Sequence, residues 1–160
     1  MDVAQKAYLE QRHNAKAWYG RSGRGRRSLK GFRFDGSELP GWVLQRVQLD
    51  ERAQPPVLRS LWSRGDTMSA LLAIDVFECA SVRGAHEQLL EALGNIESDT
   101  VERRTAPNAP GDVAFALADT LVLFARANVV VLLRNAGPTV VSVDEVAREL
   151  DALLVQRLGR

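Results

Sequence analysis

Between Gly111 and Arg134 three apolar runs follow one another almost without pause: GDVAFA, TLVLFA and NVVVLLR. Each is too short for a typical helix, is rich in Val, Leu, Ala and Phe, and is bounded by Gly, Asp or Asn, which together are strand signals. The last two are separated by only Arg126 and Ala127, with Asn128 able to accept a left-handed conformation. That spacing predicts a tight hairpin. A chain with this segment must build a sheet.

Upstream the pattern repeats. In GWVLQRVQLDE, Val43, Val47 and Leu49 alternate with Arg46, Gln48 and Asp50, as in a half-buried strand. Pro55 and Pro56 end it. VLRSLW, the turn SRGD and the run TMSALLAIDVFEC then read as two further strands, antiparallel through a short connection. In the longer one Met68, Ala70, Leu72, Ile74 and Val76 share a face.

Helices fill the intervals. Val3 to Trp18 lacks Gly and Pro and carries a thin apolar stripe, so it predicts an N-terminal helix. Ser81 is placed to cap a second helix with the stripe Ala85, Leu89, Leu93 and Ile96, ending near Gly94. Ser142 and Glu145 form a capping-box pattern ahead of a third, whose stripe runs through Val146, Leu150 and Leu154. Residues 97–110, charged and broken by Pro107 and Pro110, read as an exposed connection.

The order helix, three strands, helix, three strands, helix predicts an α+β protein. Its antiparallel sheet would have about six strands, with the two later helices packed on one face and the N-terminal helix as an addition. Residues 1–35 are read as that helix plus a basic Gly/Arg-rich strap, and 36–160 as a single α+β domain. With 160 residues, 46% of them apolar, such a chain can bury one core unaided. No apolar run reaches the roughly eighteen residues that a membrane span needs.

The charge is distributed unevenly. Of 21 cations and 20 acids, 8 cations and no acid fall in residues 11–34, which leaves 13 cations against 20 acids elsewhere, a balance of −7. Arg21, Arg24, Arg26, Arg27, Lys30 and Arg33 lie among glycines and next to Trp18, Tyr19, Phe32 and Phe34. Guanidinium groups beside rings suit a sequence-tolerant contact with nucleic acid or another polyanion. An acidic body suits a strap that docks on its own protein instead, and that reading is favoured.

Chemistry is sparse. The single Cys79 excludes an intrachain disulfide and a Cys-based zinc site, and its strand-end setting reads as a packed, inert thiol. His13 and His86 lack metal-ligand company at helical spacing and are read as solvated or structural. No cofactor and no metal are expected. Asp75 with Glu78, and Asp112 with Asp119, are the carboxylates that could meet as general acid and base. Arg64-Gly65-Asp66 spells an adhesion signature, but a turn wants Gly and Asp for conformational reasons alone.

The expectation is therefore a non-enzymatic binding or accessory domain of bacterial type, meeting an unknown protein or small ligand through an uncovered sheet face or loops. The bias of 18 Arg to 3 Lys is read as the base composition of the source genome and not as a mechanism. The alternatives are polyanion binding through residues 20–33 and a carboxylate-based hydrolase. No secretory leader opens the chain, so localisation stays open, with a lean toward export if Met1 stands in place of a removed leader.

Overall fold

In the computed structural model, residues 1–18, 28–96, 100–105, 107, 109–118 and 120–159 are described. The protein is α+β, with one antiparallel seven-stranded sheet and three α-helices. The elements in order are α1 (Val3–Arg12), a 3-10 turn (Ala15–Ala17), β1 (Trp42–Asp50), β2 (Val57–Arg64), β3 (Thr67–Glu78) and α2 (Val82–Gly94). Then come β4 (Glu102–Arg104), β5 (Val113–Leu117), β6 (Leu121–Arg126), β7 (Val129–Asn135) and α3 (Asp144–Leu158). Across the sheet the order is β1-β2-β3-β7-β6-β5-β4. No helix is long and apolar enough to cross a membrane among the described residues.

The sheet carries two cores, not one. Ala114, Ala116, Val122, Phe124, Val131 and Leu133 point to one side, where Val146, Ala147, Leu150 and Leu154 of α3 meet them. Their strand neighbours Val113, Phe115, Leu123, Ala125 and Val130 point to the other, against Ala85, Leu89 and Leu93 of α2. The expectation that both later helices share a face is thus corrected. The physical reason stands in the sequence: Val113–Leu117, Leu121–Ala125 and Val129–Leu133 are unbroken apolar runs rather than alternating ones, the mark of strands buried on both faces. The strand count is seven because Glu102–Arg104, read as part of an exposed connection, pairs with β5.

Several local readings hold and several shift. Ser81 caps α2 by accepting from the Gly84 N–H at 2.9 Å. At α3 the capping box does not form: the helix begins at Asp144, its N-cap Val143 offers no side-chain acceptor, and Ser142 is exposed. The preceding loop is held instead by Asn135, whose amide bonds both the N–H and the C=O of Val141. In the β6–β7 turn it is Ala127, at φ 51°, that is left-handed, not Asn128. The first helix stops at Arg12, since Asn14 takes φ 52° and the chain tightens into the 3-10 turn. Gly94 lets α1 approach closely, since a Cβ there would meet Leu9 Cδ1 at 2.9 Å and the end of that side chain would have to shift.

A β-bulge at Gln45 changes the face of the first part of β1. The register slips between Leu44 and Arg46, so two residues oppose one across the ladder. Val43 therefore lies opposite Ser63, on the face away from Val47 and Leu49, and not beside them as simple alternation predicts. On β3 the expected face of Ala70, Leu72, Ile74 and Val76 is buried, while Met68 at its end is exposed.

Candidate functional site

The strap is the first candidate. Its central residues 19–27, which include Arg21, Arg24, Arg26 and Arg27, lie outside the described residues. The described part is laid along the α3 side of the sheet, with Leu29, Phe32, Phe34 and Leu39 all buried. Phe32 meets Phe34 edge-on at 5.0 Å, and Phe34 meets Trp62 at 5.2 Å. Such pairs add about 0.5–1.5 kcal/mol each beyond their burial.

Polar anchors fix the strap at both ends. Asn128 accepts from Leu29 N–H at 2.7 Å and donates to Leu29 C=O at 2.9 Å. Glu78 accepts from Gly31 N–H at 2.9 Å. From α3, Arg157 stands 4.8 Å over the Phe32 ring, donates to Arg33 C=O at 3.2 Å and pairs with the enclosed Glu38 at 3.6 Å.

Three of the four rings next to the basic residues are thus withdrawn from solvent, and the fourth, Tyr19, lies outside the described residues. Trp18, Phe32 and Phe34 are 0%, 3% and 7% exposed, so none can stack on a nucleobase. Of the candidate cations that are described, Lys30 and Arg33 are exposed, but the Arg33 guanidinium donates back to Phe32 C=O at 2.6 Å. Beside Arg33 a pocket of about 220 Å³ is lined by Glu51, Glu78, Leu49 and Leu58 as well. That is smaller than pockets that enclose typical organic ligands, and its two acids oppose an anion.

The carboxylates do not gather. Asp75 and Glu78 are three apart on β3, so strand alternation sends them to opposite faces. Asp112 is occupied: Arg126 bonds it at 3.1 Å and Ala127 N–H donates to it at 2.8 Å. Arg126 also grips Asp151 of α3 through two bonds of 2.7 and 2.8 Å, tying helix to hairpin. Asp119 lies outside the described residues. Among the described residues no three His, Cys, Asp or Glu side chains are grouped to hold a metal ion.

Cys79 is buried, and burial together with the Glu78 charge pushes its thiol up to about 12, which keeps it protonated and unreactive at neutral pH. Of the two readings of the histidines, solvated or structural, the packing favours the structural one. His86 is 1% exposed, edge-on to Trp18 at 6.0 Å, and His13 is half-buried, edge-on to Phe115 at 5.1 Å. The reason is that the chain after α1 folds back over α2, seating Trp18 against Phe115 at 5.6 Å and closing the site. Isolated histidines gave no signal of this, since only tertiary packing creates it.

Burial lowers both imidazoles below the ordinary 6.5, aided at His13 by Arg12 and opposed at His86 by Asp112. The folded state thus takes up protons less readily than the unfolded state. Stability from these two groups is complete above pH 6.5 and declines as the pH falls below it. Urea midpoints measured from pH 7.5 to 5.5 are expected to fall, and His86→Gln is expected to flatten the curve. A midpoint that stays level or rises on acidification would contradict this.

The remaining candidate is the sheet face that no helix covers. On the α2 side α2 packs on β6 and β7 and leaves β1, β2 and β3 open. One cross-strand row reads Arg46, Leu61, Ala73, Arg134, and the next Gln48, Arg59, Asp75, Leu132. Arg46, Gln48, Arg59 and Arg134 are exposed, while Leu61, Ala73, Asp75 and Leu132 between them are half-buried. Arg59 leans on Asp50 at 3.7 Å, and burial raises the Asp75 carboxyl against the pull of Arg134 and Arg59. The result is a cation-rimmed surface with a largely apolar floor. Gly65, at φ 58°, turns β2 into β3, which accounts for the Arg64-Gly65-Asp66 sequence on conformational grounds.

The fold and this face define an α+β protein with a double-sided core over half its sheet and an open face over the other half. Compared with known proteins, the chain matches no family model, and no curated protein is significantly similar to it.

Proposed function

We propose that this chain is a binding or accessory domain that meets a partner through the open face of β1, β2 and β3. One contrast carries the reading. Most of the remaining sheet is packed against α2, α3 or the strap, apart from Val47 on the strap side of β1, whereas this face keeps Leu61, Ala73 and Leu132 only half-covered beneath exposed arginines. Interfaces favour such a composition, because arginine combines directional hydrogen bonds with a weakly hydrated planar cation. The partner is a protein or a small ligand carrying acceptors for Arg46, Arg59 and Arg134.

The test reverses charge where packing is least engaged. Extracts of the source cells are passed over immobilised wild-type protein, the Arg46→Glu/Arg134→Glu double variant, and Ala152→Glu on the exposed side of α3. A component held by wild type and by the α3 variant but lost by the double variant supports the reading. Identical retention by all three would refute it.

The polyanion alternative rests mainly on charge, because Trp18, Phe32 and Phe34 are buried and Tyr19 lies outside the described residues. Electrostatic contacts without stacking release counterions and so weaken steeply with salt. Mobility-shift assays with single- and double-stranded oligonucleotides are expected to show no micromolar retention at physiological salt. Retention abolished by changing Arg21, Arg24, Arg26 and Arg27 to serine would reinstate nucleic-acid binding.

A further inference from the structure

We infer that a second site, separate from the open face, binds a small oxyanion between the edge of the sheet and the start of α3. A pocket of about 380 Å³ lies there, lined by Arg103, Arg104 and Thr105 at the sheet edge, by Ala109 and Pro110 before β5, by Val122 of β6, and by Asp144 and Arg148 of α3. Its volume falls within the range that encloses small organic ligands, roughly 300–1,000 Å³.

Strand register decides which cations belong to it. Arg104 lies opposite Ala114, whose side chain faces α3, so Arg104 is directed to the α3 side. Arg103 alternates to the other side, where its guanidinium stands 5.8 Å over the Phe115 ring. Arg148 is one turn beyond Asp144 on α3, so both project from the same side of the helix. Arg103 thus borders the pocket while its guanidinium is turned to Phe115, and Arg104, Arg148 and the Asp144 carboxylate share the α3 side.

Two independent observations mark it as a site for a ligand rather than a chance depression. The Arg104 Nε is buried and has no hydrogen-bond partner among the described residues, although a buried donor left unmet is costly. Neither Arg104 nor Arg148 forms a salt bridge among the described residues, although the body outside residues 11–34 is rich in acids. An oxyanion placed between the two guanidinium groups meets the stranded Nε–H and can take the Thr105 hydroxyl as a further donor. Planar guanidinium groups match phosphate and sulfate geometry through paired N–H bonds. Asp144 opposes a bare anion, so it favours a monoester whose organic part brings a hydroxyl for that carboxylate to accept.

The test uses the 160-residue chain and three probes: inorganic phosphate, glycerol 3-phosphate, and sodium chloride at matched ionic strength. Amide chemical shifts are followed by NMR. Saturable shifts confined to Thr105, Ala109 and the first turn of α3 are expected with both phosphates and not with chloride. Arg148→Gln, on an exposed helical position, is expected to weaken phosphate binding about tenfold with an otherwise unchanged spectrum. Arg104→Gln should act in the same direction, and Asp144→Asn should tighten inorganic phosphate while weakening the preference for the ester. Shifts that fail to saturate, that chloride reproduces, or that survive Arg148→Gln unchanged would overturn the proposal.

Discussion

Asn128→Ala is expected to lower the free energy of unfolding by about 3 kcal/mol, and with it the thermal midpoint by roughly 10 °C for a chain of this size. Asn128 is 1% exposed, and its amide holds Leu29 N–H, Leu29 C=O and Cys79 C=O at 2.7, 2.9 and 2.9 Å. Truncation removes all three bonds and leaves the Leu29 N–H without its acceptor in the interior. Asn128→Asp is expected to be at least as damaging, since a carboxylate would keep the one acceptor role while facing two carbonyl oxygens. Urea unfolding monitored by tryptophan fluorescence measures both. A loss below about 1 kcal/mol for Asn128→Ala would mean that water takes over the side chain's bonds, and that the strap is held by its apolar contacts alone.

Arg126→Ala is expected to cost a similar amount, about 3 kcal/mol, for a different reason. The Arg126, Asp112 and Asp151 side chains are 26%, 19% and 13% exposed, so the arginine neutralises two carboxylates that are largely withdrawn from water. Removing the cation strands both. Asp151→Ala alone leaves Arg126 with Asp112 and should cost less. The double variant Arg126→Ala/Asp151→Ala should recover part of the single arginine loss, with a coupling of about 1–3 kcal/mol in the double-mutant cycle. Strict additivity would show that the triad is a surface arrangement of little energetic weight.

Much of the framework was legible because the signals were local. Alternation located β1, β2 and β3, the Ser81 cap located the start of α2, and leucine spacing located α3. What escaped depended on distant partners. The double-sided core was written in the unbroken apolar runs of β5, β6 and β7, yet which helix would take which face is decided by packing. The bulge at Gln45 leaves no mark in composition and reverses the face of Val43. Phe32 and Phe34 looked like solvent-facing aromatics beside arginines, because nothing nearby in sequence announces Trp62 and Arg157 as their neighbours. Of the open face, Arg46 and Gln48 could be assigned to the polar side of a strand, whereas the rows joining them to Arg59, Asp75 and Arg134 needed the register.

The strap also sets an order of events during synthesis. Leu29 is tied to a residue 99 positions later, and the Arg33 carbonyl to one 124 positions later. At roughly 5–20 residues per second, a ribosome exposes Leu29, Phe32 and Phe34 for several seconds before Asn128 is made, and longer before Arg157 emerges. An apolar cluster made early in synthesis is thus among the last to be covered. The nascent chain spends most of its elongation with these side chains open to chaperones or to a neighbouring copy.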